Sequence, residues 1–164
     1  MRSVEYPQLT LTTGRIGLIS DTHGLIRPQA LAALRDSELI IHGGDVGTPD
    51  VLIALENIAS VIAIRGNNDY AAWARKLPDV ISLHVNALGI RVIHNLRELN
   101  GRLMDGIRVV VSGHSHKPGI ISRDRVLFIN PGSAGPRRFK LPVSVARLKV
   151  SGDRVRARIV ELKI

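Results

Sequence analysis

Arg15-Ile16-Gly17-Leu18-Ile19-Ser20-Asp21-Thr22-His23 is a short apolar run with Gly14 in front of it and Asp21 closing it. Such a run reads as a buried strand, and the polar residues behind it fall where a strand leaves its sheet. Pro28 then suits the first turn of a helix over 28–35, where its missing N–H costs nothing. A second apolar run, 39–42, ends in Gly43-Gly44. Thr48-Pro49-Asp50 has the chemistry of a helix start: a hydroxyl cap, a proline at the first position and an acid near the positive end of the dipole. That helix is expected to reach about residue 57, and 61–65 gives a third strand that again ends in glycine. The first seventy residues therefore predict β-α-β-α-β, with parallel strands joined by right-handed crossovers. Residues 1–14 read as a loose lead-in.

The second half changes character. Strands are expected at 81–85, 90–94, 109–112, 120–123, 126–130, 143–150 and 154–162, several joined by tight turns such as Ser151-Gly152-Asp153. Parallel and antiparallel pairings must then mix. The expected fold class is α/β: two mixed sheets packed face to face with helices outside, one domain over 1–164.

Composition narrows the function. The chain is 45% hydrophobic, which suits a packed core, and only 3% aromatic, which counts against a nucleic-acid platform of stacked rings. It has no cysteine, so disulfides and thiolate chemistry are excluded and a metal must be held by His, Asp, Glu or Asn. No apolar stretch reaches the roughly 20 residues of a membrane helix, and the start has no apolar core of signal-peptide length. A cytoplasmic protein without a membrane partner is expected. The net charge of +9 is concentrated late: from Arg123 to Lys163, eleven Lys and Arg face only Asp124, Asp153 and Glu161. Because Arg147, Lys149, Arg154, Arg156 and Arg158 alternate with apolar neighbours, a solvated strand face is the favoured reading. A nucleic-acid partner is the alternative.

The polar clusters lie at strand ends: Asp21-Thr22-His23, Gly44-Asp45, Gly66-Asn67-Asn68-Asp69, His94, Gly113-His114-Ser115-His116 and Asn130-Pro131-Gly132-Ser133. Open α/β sheets bind ligands beyond the carboxyl ends of their strands, so these clusters can converge. Asp21, His23, Asp45, Asn67, His94, His114 and His116 would supply oxygen and imidazole donors without sulfur. That set suits Mn²⁺, Fe²⁺, Co²⁺, Ni²⁺ or Zn²⁺ better than Ca²⁺ or Mg²⁺. Seven donors exceed one tetrahedral ion and match two ions sharing a carboxylate, which can clamp a phosphoryl group.

The ordered series Asp21-x-His23, Gly44-Asp45, Gly66-Asn67, His94, Gly113-His114-x-His116 resembles the calcineurin-like metallophosphoesterases. Ile19-Ser20-Asp21-Thr22-His23-Gly24, Gly113-His114-Ser115-His116-Lys117-Pro118 and Asn130-Pro131-Gly132-Ser133 are most similar to its small prokaryotic phosphodiesterase branch. The resemblance implies an αββα sandwich and a hydrolase acting on a small phosphodiester or phosphate ester by attack of a metal-bridging hydroxide. It implies one ion on Asp21, His23, Asp45 and His116, and a second on Asp45, Asn67, His94 and His114, with Asp45 bridging. Mn²⁺ is the first expectation for both. Asp45, Asn67 and Asn68 are the expected catalytic residues.

Many family members carry His where this chain has Asn68. Loss of such a general acid costs about 10²–10⁴-fold, which favours diesters and good leaving groups. The fourth motif, usually His-Gly, is His94-Asn95 here. Asn68, Asn95, Asn130 and Arg137 are candidate substrate contacts. His42, next to the second motif, is either structural or supports the site, and Asp69 either caps a turn or orients Asn68. The rival functions are a non-catalytic scaffold of the same fold, which would show broken ligand positions, and a nuclease using the basic C-terminal region. Pairing of two copies through an edge strand is a further expectation.

Overall fold

The computed structural model describes residues 1–101, 103 and 105–164. In chain order the strands and helices are β1 (Ser3–Glu5), β2 (Arg15–Ile19), α1 (Pro28–Leu34), β3 (Leu39–His42), α2 (Pro49–Glu56), β4 (Ser60–Ala63), β5 (Val80–Val85), β6 (Leu88–Ile93), β7 (Ile107–Val111), β8 (Gly119–Arg123), β9 (Val126–Asn130), β10 (Ser144–Ser151) and β11 (Arg154–Glu161). One sheet runs β1-β5-β6-β7-β9-β8 and the other β11-β10-β2-β3-β4. Both are mixed, as expected. β2, β3 and β4 are mutually parallel, and β6, β7 and β9 form a second parallel set in the other sheet.

The alternation of side chains explains the sandwich. Ile16, Leu18, Leu39, Ile41 and Ile62 point from one sheet towards Ile81, Leu83, Ile90, Val92, Val109 and Val111 of the other, all buried. The opposite face of β2 and β3, through Ile19 and Ile40, packs against Ala30 and Leu34 of α1 and Val51 and Leu55 of α2. Both α-helices thus cover the five-stranded sheet. Among the described residues, Leu99, Leu103, Val126 and Phe128 pack against Val80, Ile93, Ile107 and Val110 on the outer face of the six-stranded sheet. No helix among the described residues is long and apolar enough to cross a membrane.

The start of the chain corrects the expectation of a loose lead-in. Ser3 to Glu5 pair in parallel with Val80 to Ser82, and the Leu9 N–H continues the contact to the His84 carbonyl at 2.8 Å. Without this segment β5 would present a row of unpaired backbone groups at the sheet edge. Tyr6, Leu9 and Leu11 also pack against the inter-sheet core. The strand expected at 61–65 ends earlier, at Ala63, because the Arg65 N–H turns to the Pro78 carbonyl.

Candidate metal centre

The carboxyl ends of the two parallel sets meet at one edge of the sandwich. Asp21 and His23 follow β2, Asp45 follows β3 and Asn67 follows β4. His94 follows β6, and His114 and His116 follow β7. Beyond their strands, the loops after β2 and β3 stay paired: the Asp21, His23 and Gly24 N–H groups donate to the Gly44, Asp45 and Val46 carbonyls at 3.0, 2.9 and 2.8 Å. This fixes Asp21 and His23 against Asp45. The two sheets are tied by His94 Nδ1, 2.7 Å from the Gly43 carbonyl, and by the His114 N–H, 3.1 Å from Asp21 Oδ2.

Five of these residues have left-handed backbone: Asp21, His23, Asp45, His114 and His116, with φ between 47° and 67°. Each sits two to five residues past the end of a strand, where the chain must turn and aim a side chain inward. Left-handed backbone in non-glycine residues is uncommon and gathers at functional sites. Two glycines are required by close approach: a Cβ on Gly66 would lie 2.1 Å from Asp45 Oδ1, and one on Gly113 would lie 2.6 Å from Asp21 Oδ2.

The floor of the site is buried and its mouth is open. Asp21, Asp45, His94 and His116 are at most 4% exposed, whereas Asn67, Asn68 and His114 face solvent. His116 Nε2 lies 3.3 Å from both Asp21 Oδ1 and His23 Nε2, and the His23 and His116 rings stack. His94 Nε2 is 3.4 Å from Asp45 Oδ2 and 3.1 Å from Asn67 Oδ1, which is itself 2.9 Å from His114 Nδ1. All seven residues expected to hold metal are thus brought together.

Their electrostatics call for a cation. His94 Nδ1 is committed as a donor to the Gly43 carbonyl, so in the neutral ring Nε2 carries a lone pair. That lone pair faces two oxygens, Asp45 Oδ2 and Asn67 Oδ1. Burial, the largest single influence, disfavours charging His94, yet the bond to Asp45, the charges of Asp21 and Asp45 and the bond to Gly43 together outweigh it and raise the pKa. Burial likewise works against the Asp45 carboxylate. The bonds from His94 and Asn68 prevail and hold it well below the usual carboxylate range. His23 is pushed down, chiefly by burial. Among the described residues no Lys or Arg pairs with Asp21 or Asp45. Two buried carboxylates ringed by imidazoles, without a fixed counter-charge, fit divalent cations. The donor atoms form two triads of metal-site spacing, Asp21/His23/His116 and Asp21/Asp45/His94. Asp21 is common to both, and Asp45 Oδ2 also lies between the sets, 3.8 Å from His23 Nε2 and 3.4 Å from His94 Nε2.

The remaining candidates sort by what their side chains already hold. Asn68 donates its N–H to Asp45 Oδ1 at 2.8 Å and its Nδ2 to Oδ2 at 2.7 Å. Asn95 Oδ1 accepts from the Arg97 N–H and caps a single turn of 3-10 helix. Asn130 Nδ2 donates to the Gly113 carbonyl and Ser115 Oγ, and its Oδ1 accepts from the Gly132 N–H. It therefore braces the His114 loop. Arg137 is exposed and, among the described residues, has no partner near the cleft; the cation felt at His23 is Arg138.

Two residues do more than their sequence signals indicated. Asp69, 3% exposed, accepts N–H bonds from Val46, Gly47 and Gly66 at 2.9–3.0 Å and so clamps the loops after β3 and β4 together. His42 is fully buried, and burial pushes its pKa down to about 4. The Thr22 hydroxyl gives its proton to the Val46 carbonyl, so it accepts from His42 Nε2 at 2.9 Å, while His42 Nδ1 accepts the Gly44 N–H. One neutral tautomer thus braces the loops after β2 and β3.

A cavity of about 300 Å³, lined by Arg65, Asn67, Tyr70, Asn95, Glu98 and His114, opens at the Asn67 and His114 end of the centre. A groove of about 580 Å³, lined by Leu96, Lys117, Pro118, Ile121 and Phe128, adjoins it, and the two share Asn95 and His114.

A family model described as a calcineurin-like phosphoesterase superfamily domain matches residues 15–153. A probable metallophosphoesterase of Methanothermobacter thermautotrophicus is 35% identical over 160 residues, covering 88% of this chain and 91% of its own. A phosphodiesterase of Methanocaldococcus jannaschii is 31% identical over 137 residues, 72% of this chain and 82% of its own. Vps29 of Chaetomium thermophilum shares the fold, with a TM-score of 0.72 at 18% identity over 92% of this chain and 99% of that one.

Proposed function

Because this chain belongs to the calcineurin-like phosphoesterase superfamily, we propose that it is a metal-dependent phosphodiesterase using two divalent cations, Mn²⁺ first among them. Asp21, His23, Asp45 and His116 would hold one ion, and Asp45, Asn67, His94 and His114 the other. When bound, such a pair supplies Lewis-acid stabilisation of phosphoryl charge and activates water. A carboxylate has about four lone-pair sites, and Asn68 takes two on Asp45, leaving two for bridging.

The observation that carries the diester reading is the meeting of two cavities at His114 and Asn95. A phosphate ester held beside His114 has both spaces within reach of its substituents. Asn68 stands where many relatives have His, and both its nitrogens are engaged on Asp45, so it gives no proton to a departing oxygen. Good leaving groups are favoured accordingly.

The test is hydrolysis by metal-stripped protein, with and without Mn²⁺, of bis-p-nitrophenyl phosphate, p-nitrophenyl phosphate and the slower-leaving phenyl esters. Mn²⁺-dependent turnover that prefers the diester and falls steeply from nitrophenyl to phenyl is expected. No turnover with Mn²⁺, Ni²⁺, Co²⁺ or Zn²⁺ would leave the non-catalytic scaffold in its place.

A further inference from the structure

The end of the five-stranded sheet away from the metal centre carries a second feature. β10 and β11 are antiparallel with Arg147 opposite Arg158 and Lys149 opposite Arg156, and Lys149 also stands opposite Arg15 on β2. Their neighbours Ile16, Leu148, Val150, Val155 and Ala157 point into the inter-sheet core. Arg15, Arg147, Lys149, Arg154, Arg156 and Arg158 therefore share the outer face, beyond the cover of the helices. Arg147 marks the boundary, its Nε donating to the Ala33 carbonyl of α1 at 2.6 Å. The other five are exposed. Among the described residues none of the six forms a salt bridge, and a groove of about 450 Å³ runs between them, with Asp36 the one acid on its wall.

An ordinary solvated strand face mixes its signs, because like charges directly opposite each other destabilise a sheet. Edge protection accounts for cations on β11, an edge strand, but not for those on β10 and β2, which lie inside the sheet. We propose that this face binds the phosphate backbone of a nucleic-acid duplex. Cations two residues apart on a strand are about 6.7 Å apart, and those on adjacent strands about 4.8 Å apart, held on a rigid scaffold. Such a lattice matches a repeating polyanion and reads no sequence. No aromatic side chain lies among them for stacking single-stranded bases. The exposed large hydrophobic residues, such as Ile53, Tyr70, Ile121 and Phe139, lie on other elements, so nothing here would enter a membrane. Arg15 begins β2 and Asp21 follows its end, so the surface acts apart from the metal centre and does not depend on its chemistry.

The test is fluorescence anisotropy of a labelled 20-base-pair DNA duplex with the full chain in EDTA, across a salt series. Micromolar binding at low salt is expected, with log K falling against log salt at a slope of about −3 to −4, and an RNA duplex behaving alike. The triple variant Lys149→Gln/Arg156→Gln/Arg158→Gln should bind at least tenfold more weakly, with the slope reduced by about 2–3. Arg108→Gln/Arg123→Gln/Arg125→Gln removes the same charge from the other sheet and should bind within twofold of wild type. Equal losses in the two variants would overturn the assignment. So would a wild-type protein without salt-dependent binding, or one preferring single strands or phosphatidylserine vesicles to the duplex.

Discussion

Asn68 holds Asp45 at both carboxylate oxygens, with its N–H 2.8 Å from Oδ1 and its side-chain nitrogen 2.7 Å from Oδ2. This grip sets the carboxylate plane and, together with the bond from His94, keeps the group ionised. Asn68→Ala retains the backbone bond and loses the other. Partners of a metal ligand typically carry 10–100-fold in affinity or activity, and a loss of that size is expected. Mn²⁺ titration of the stripped variant measures it; unchanged Mn²⁺ affinity would show that the grip is incidental.

Asp45 and Asp21 both lie between the two groups of imidazoles, and their substitutions separate the bridging roles. Asp45→Asn should lose both ions and nearly all activity, more than the roughly 10–100-fold carried by a ligand's partner. Asp21→Asn should retain one ion, on the Asn67, His94 and His114 side. Elemental analysis of bound Mn²⁺ per chain reads the difference. One ion kept by Asp45→Asn and none by Asp21→Asn would assign the bridge to Asp21.

Asp69 serves stability. Asp69→Ala leaves three N–H groups without their acceptor, those of Val46 and Gly66 in buried positions. An unsatisfied buried donor costs about 1–3 kcal/mol, so a loss of roughly 3 kcal/mol or more is expected from urea unfolding. Asp69→Asn, which retains an acceptor oxygen, should lose less.

His42 makes stability depend on pH. Its folded pKa, about 4, lies below the ordinary 6.5, so the unfolded chain takes up this proton first as pH falls. The contribution is whole above pH 6.5 and is lost between there and about pH 4; the shift corresponds to about 3 kcal/mol. Urea unfolding of stripped protein at pH 7, 5.5 and 4.5 should show a steeper acid loss in wild type than in His42→Gln. Parallel pH profiles would contradict the assignment.

The β-α-β-α-β start was legible because its signals are local: Pro28 and Pro49 open their helices, and the runs at 39–42 and 126–130 match β3 and β9 residue for residue. β1 was not legible. Ser3-Val4-Glu5 has no apolar pattern and is a strand only because β5 offers it an edge. The same division runs through the site. The spacing of His114 and His116, and of Asp21 and His23, marks donors within one loop. Asp69 and Asn130 act on backbone groups of other loops, and nothing in their own neighbourhoods specifies those partners.

The five left-handed residues around the metal centre have a consequence for how such a chain changes over generations. Each holds a backbone conformation costing on the order of 1 kcal/mol outside glycine. Replacing His114 by Gly would relieve that cost while removing a donor. A lineage released from selection for hydrolysis would therefore find its first ligand losses downhill in stability, and the sandwich would outlast its chemistry.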